Sequence, residues 1–182
     1  MKIVLASQSP RRKQLLEEEG IECIIHPSKS REIFDPSVSI DEALKKVAYQ
    51  KAKDVADLYP EYVTLAADTI VLFNGQRLGK PKDAKQAYSF LQALSGTSHE
   101  VKTGVCFMNG QRVHTFVDTT EVHFRTLSSF EIKQYVNSGR CMDKAGAYGI
   151  QECDFVEWID GSLTNVIGLP MERVRLFMKK YA

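Results

Sequence analysis

Two arginines and a lysine sit where a strand hands over to a helix, in Ser7-Gln8-Ser9-Pro10-Arg11-Arg12-Lys13. Cations in a first helical turn oppose the macrodipole, each at about 0.3–1 kcal/mol, unless an anion pairs with them. Backbone N–H groups and guanidinium forks at such a turn suit a phosphate. The other reading is a solvated basic turn, since Glu17, Glu18 and Glu19 oppose the dipole at the far end as well. No Walker lysine pattern is present, so the segment is not a P-loop.

Asp68-Thr69 follows the apolar run Val63 to Ala67. The spacing predicts a strand whose carboxyl end carries an acid and a hydroxyl, where ligands of open α/β sheets gather. An Asp there could hold Mg²⁺, orient a water or take its proton; it could equally form a cap or turn. Gly79-Lys80-Pro81 offers close backbone approach and one point charge for a phosphate, or a plain surface loop. Asp143 to Gln151 (DKAGAYGIQ) combines small residues with a carboxamide. Gln151 could pair with the edge of a uracil, a thymine or an adenine, and the loop could equally be structural. Glu32 and Lys51, each alone, read as solvated charges. His26, His99, His114 and His123 lack zinc-ligand spacing, although His99 is placed to anchor the Leu94–Ser98 loop. No G-x-S-x-G elbow or Cys–His signature argues for acyl transfer.

The elements that must position these residues alternate, as in an α/β domain. Strands are expected over 2–6, 21–25, 62–67 continuing through 70–73, 101–108, 113–124 and 155–159. Helices are expected after Ser9-Pro10, after a Ser39/Glu42 capping box, after Asp83, after a Ser128/Glu131 capping box and from Pro170. Asn109-Gly110 marks a hairpin. The expected architecture is a mixed, twisted sheet flanked by helices, with a central cleft between two lobes.

Composition narrows the function. Lys+Arg 24 against Asp+Glu 23 gives +1, no basic surplus for a general nucleic-acid or membrane binder. With 182 residues, one domain is expected. No apolar run approaches the roughly 18 residues of a membrane helix, and Ile3 to Ala6 is too short for a signal peptide. Cys23, Cys106, Cys141 and Cys153 form no C-x-x-C pair and read as reduced thiols of a cytoplasmic protein.

Taken in order, LASQSPRR (Leu5 to Arg12), Gln50-Lys51-Ala52, ADTIV (Ala67 to Val71), Gly79-Lys80-Pro81, LSGTSH (Leu94 to His99), DKAGAYGIQ and NVIGLP (Asn165 to Pro170) resemble the Maf family of nucleoside triphosphate pyrophosphatases. The resemblance spans almost the whole chain. It implies a single Maf-like domain over 1–182, with a two-lobed α/β fold like that of inosine triphosphate pyrophosphatase. It implies hydrolysis of a nucleoside triphosphate to monophosphate and pyrophosphate with a divalent metal, Mg²⁺ or Mn²⁺.

Asp68 falls on the family's proton acceptor. Arg12, Glu32, Lys51 and Lys80 fall on its charged cleft residues, with Ser7 and Ser9 beside them, and Arg11, Thr69 and Gln151 fall on positions tied to substrate choice. Glu32, with Asp68, would hold the metal. Arg11 and the Gly-Ile-Gln ending resemble the subgroup acting on dTTP and UTP, because the group acting on 7-methyl-GTP carries a bulky aromatic in place of that arginine. A homodimer is an open expectation, since family members are often dimers. Two alternatives stand beside this: a nucleotide-binding regulator of cell division with slow or no turnover, and an enzyme that clears modified nucleotides.

Overall fold

The computed structural model describes residues 2–181. The order is β1 (Ile3–Leu5), α1 (Pro10–Glu18), β2 (Cys23–Ile25), α2 (Ile40–Ala56), β3 (Val63–Phe73), β4 (Gln76–Leu78), α3 (Ala84–Leu94), β5 (Ser98–Asn109), β6 (Arg112–Phe124), α4 (Ser129–Asn137), a 3-10 turn (Ala145–Ala147), β7 (Val156–Asp160), α5 (Leu163–Ile167) and α6 (Met171–Tyr181). The strands form one seven-stranded sheet in the order β2-β1-β3-β5-β6-β7, with β4 on β3. β1 pairs parallel with β2 and β3, whereas β4 and β7 pair antiparallel with β3 and β6. The sheet is mixed, as the alternating pattern implied.

The chain forms two compact units. One comprises the residues up to Asp68, Thr103–Asp118 and those from Gly168 on; the other comprises Thr69–Lys102 and Thr119–Ile167. In the first, Ala48, Ala52 and Val55 of α2 pack on Val4, Ala6, Ala66, Cys106 and Met108. Gly104 lets α2 come close, because a Cβ there would lie 2.8 Å from the Leu44 carbonyl oxygen. In the second, Ala87, Leu91 and Leu94 of α3 and Ile132 and Val136 of α4 cover Val71, Val101, Val122 and Phe124.

Local signals explain most boundaries. The Ser128/Glu131 capping box is present in both halves. Ser39 accepts from the Glu42 backbone, while the Glu42 carboxylate holds Lys45 instead. α1 ends in a Schellman motif, with Gly20 N–H on Glu17 and Ile21 N–H on Leu16. Ser9 stands at its N-cap, yet its side chain makes no cap bond; its own N–H donates to Ser7 Oγ at 3.1 Å.

Two expectations need correction, and two further elements were not foreseen. β3 does not end at Ala67: it runs unbroken to Phe73, so Asp68 lies mid-strand, held by a sheet buried on both faces. β2 is shorter than expected, beginning at Cys23. β4 follows the Asn74-Gly75 turn, whose φ values of 50° and 74° suit a tight hairpin. α5, five residues long, was not expected at all.

All four cysteines are free thiols. No helix among the described residues is long and apolar enough to cross a membrane.

Candidate active site

The site is assembled in the first unit. Side chains alternate along a strand, so Asp68 follows Ala66 onto the face that α2 covers. Lys51 flanks the buried residues Ala48 and Ala52 of that helix and reaches the same face. Its Nζ donates to Asp68 Oδ1 at 2.5 Å and to Glu32 Oε1 at 2.7 Å. The Lys51 and Asp68 side chains are 13% and 9% exposed, against 55% for Glu32. The Lys51–Asp68 pair is therefore poorly screened by solvent, and the Lys51–Glu32 pair is open to it.

Glu32 is brought over Lys51 by two ties between its loop and α2. Asp54 Oδ2 accepts from Lys29 N–H at 2.6 Å and from Ser28 Oγ at 2.9 Å. On the other side Lys46 Nζ donates to Asp35 Oδ2 at 3.0 Å. Both carboxyls lie below their usual range. For Asp54 the Lys29 backbone N–H matters most; Asp35 is lowered to about 2, chiefly by the Ser37 hydroxyl. Sequence reasoning missed Asp54, Asp35 and Lys46. The only signal was that Lys46 and Asp54 sit on the same helix as Lys51.

Arg12 completes the cluster. Its Nε donates to the Gly168 carbonyl at 2.8 Å and its Nη1 to Ser7 Oγ at 3.0 Å. Buried Ser7 thus receives both the Ser9 backbone N–H and the Arg12 guanidinium. Burial pulls Arg12 below its ordinary value, the fields of Asp68 and Glu32 push it back, and Arg11 lowers it. A guanidinium stays charged at neutral pH regardless.

Asp68 is shifted the other way. Burial raises its pKa most, Lys51 lowers it, Glu32 raises it and Arg12 lowers it, leaving it above the usual carboxylate value. A buried carboxylate of raised pKa beside fixed cations suits proton transfer.

Of the ten residues singled out, Ser7, Ser9, Arg11, Arg12, Glu32, Lys51 and Asp68 belong to this unit. Thr69, Lys80 and Gln151 belong to the second. Thr69 is half-buried, and Lys80 and Gln151 are exposed. In that unit Gly146 N–H donates to the Gly79 carbonyl at 3.1 Å, fastening the Lys80 segment to the loop that carries Gln151.

Glu32 and Asp68 are the residues suited to a divalent cation. Among the described residues no group of three His, Cys, Asp or Glu side chains could hold a metal. Mg²⁺ is commonly held by one or two carboxylates, with water and substrate phosphates completing the shell. Two carboxylates on one ammonium, with Glu32 raising the cost of charging Asp68, fit that demand.

A solved structure described as the Staphylococcus aureus Ham1 protein covers the whole chain at a TM-score of 0.56 and 11% identity, a likeness of fold. The chain belongs to the Maf-like protein family, which it matches over residues 2–181. Relatives named dTTP/UTP pyrophosphatase are 46% identical in Bacillus pumilus (94% of this chain, 92% of the relative) and 47% identical in Halalkalibacterium halodurans (94% and 91%). A relative of that name in Pyrococcus furiosus is 43% identical, over 93% and 90%.

Proposed function

We propose that this chain cleaves the α–β phosphoanhydride of nucleoside triphosphates, dTTP and UTP foremost, releasing the monophosphate and pyrophosphate. The observation that carries the reading is the Lys51 ammonium bridging buried Asp68 and exposed Glu32 beside a clamped Arg12. The names of the relatives supply the substrate.

Phosphoryl transfer needs positioning and charge stabilisation more than covalent chemistry. Asp68 orients the attacking water and takes its proton, while Lys51 holds Oδ1 and keeps the carboxylate in one orientation. Arg12, fixed by two acceptors before substrate arrives, grips phosphate with little further loss of side-chain freedom. Lys51 and Lys80 offset charge on the departing pyrophosphate. Ser7 orients Arg12, Ser9 shapes the turn, and Arg11, Thr69 and Gln151 contribute to substrate choice. Mg²⁺ or Mn²⁺ held by Glu32 and Asp68 would supply Lewis-acid stabilisation of phosphate oxygens.

The reaction takes place in the cytoplasm, and neither nucleic acid nor membrane is a partner in this reading; the near-neutral net charge supports that. A homodimer is the assembly to look for by light scattering. A regulator without turnover is not favoured, because tight binding alone gains nothing from burying Asp68 against its own desolvation.

The test is pyrophosphate release with Mg²⁺ across dTTP, UTP, dCTP, dGTP, ATP, 5-methyl-UTP, pseudo-UTP and 7-methyl-GTP. Preference for dTTP and UTP is expected. Binding without release would support the regulator, and preference for a modified nucleotide would move the substrate.

A further inference from the structure

The loop from Asp143 to Gln151 is fastened at more points than a surface connection needs. Lys144 is only 7% exposed. Its Nζ donates to the Arg140 carbonyl at 2.6 Å and to Asp143 Oδ1 at 2.7 Å, and pairs with Glu152 Oε2 at 3.1 Å. Gly149 N–H donates to Tyr135 Oη at 3.1 Å, and Tyr148 Oη meets His99 Nε2 at 2.7 Å. Gly149 makes room for the lysine, since a Cβ there would lie 2.7 Å from Lys144 Cε and 3.0 Å from its Cδ.

Burying an ammonium is costly unless it is fully partnered, and an apolar side chain would pack such a loop at less cost. What the ammonium adds is a closure. It joins Arg140, before the loop, and Asp143, its first residue, to Glu152, the residue directly after Gln151. Gln151 is exposed beside that closure. A carboxamide can discriminate between bases only if its backbone is held still, because a mobile amide pairs with several edges.

We propose that Lys144 is a positioning residue: by binding Glu152 and the Arg140 carbonyl it fixes the backbone that carries Gln151, and so sets the preference for a pyrimidine base. This inference rests on the proposed function and on Gln151 reading the base there. Lys144 itself touches no reacting atom.

The experiment compares the parent with Lys144→Met, Glu152→Gln, Gly149→Ala, Gln151→Ala and the Lys144→Met/Gln151→Ala double variant. Turnover and binding of dTTP and dGTP are measured for each. Lys144→Met should raise KM for dTTP about tenfold, the weight of one well-made hydrogen bond, with kcat nearly unchanged. Its preference for dTTP over dGTP should fall as far as in Gln151→Ala, with no further loss in the double variant. Glu152→Gln, which keeps the shape, and Gly149→Ala, which displaces the ammonium, should move the same way. Amide exchange at 149–151 should speed up in Lys144→Met while the core strands stay protected.

Unchanged exchange at 149–151 overturns the tether whatever the kinetics. A selective parent with an equally selective Lys144→Met, or equal losses on both nucleotides, overturns the role in base choice and leaves the proposed function standing. A parent that neither binds nor cleaves dTTP defeats the proposed function and this inference with it.

Discussion

Lys51 Nζ stands 2.5 Å from Asp68 Oδ1 and 2.7 Å from Glu32 Oε1, so one ammonium ties a buried carboxylate to an exposed one. The two carboxylates differ in environment, and the roles proposed for them follow from that difference. Asp68 carries the desolvation that raises a pKa, and Glu32 carries the solvent access that a metal with its water shell needs.

Asp68→Asn removes the proposed base and keeps the shape. Pyrophosphate release should fall by about 10²–10⁴-fold, while dTTP binding changes little. The native pKa of Asp68 is raised, so the folded state binds more protons than the unfolded one between the ordinary Asp value and the raised value. Its stability contribution is full below that window and lost as pH rises through it. Asp68→Asn should thus have a higher Tm than the parent at pH 8, with the gap closing as pH falls below the ordinary Asp value. Full turnover in the variant would remove Asp68 from the mechanism.

Lys51→Met takes away the largest influence holding the Asp68 pKa down. The acid limb of the kcat/KM profile reports the free enzyme's base, and it should move to higher pH in this variant. An acid limb that stays in place would mean that another group sets it.

Asp54→Ala cuts both bonds that pin Ser28 and Lys29 to α2. Glu32 would then spend less time over Lys51, and more Mg²⁺ should be needed for half-maximal activity. Glu32→Gln should raise the Mg²⁺ requirement further, by removing a ligand. Metal titrations of pyrophosphate release check the order parent, Asp54→Ala, Glu32→Gln. A chelator should abolish turnover in all three.

His99 has its pKa lowered to about 4, first by burial and then by the charge of His123. The unfolded chain therefore binds the extra proton between the ordinary value of 6.5 and about 4. The stability that His99 contributes is complete above that window and lost as pH falls through it, on the order of 3 kcal/mol in all. In His99→Gln the drop in urea midpoint between pH 7 and pH 4 should be visibly smaller than in the parent.

What the sequence disclosed was local, and what it hid was tertiary. The caps at Ser39, Asp83 and Ser128 and the stop at Gly20 depend on neighbours within one turn, and they are where the residue types place them. Asp68 read as a strand end because a carboxylate breaks an apolar run. The strand continues because Lys51, 17 residues away in sequence, supplies the counter-charge that lets it stay buried. Lys51 and Glu32 each read alone as solvated, since their pairing requires the 26–38 loop to fold back on α2 through Asp54 and Asp35. β4 was hidden by its three mostly polar residues, and α5 by its single turn and a half, too short for a periodic pattern. The family motifs pointed to Arg12, Glu32, Lys51 and Asp68 without showing these bonds.

The most direct test of the central claim is dTTP hydrolysis in heavy-oxygen water, with the products weighed by mass spectrometry. Attack on the α-phosphorus by water primed by Asp68, as proposed, would put the heavy oxygen in dTMP and leave the pyrophosphate unlabelled. Label in the pyrophosphate would place the attack on the β-phosphorus and contradict the account.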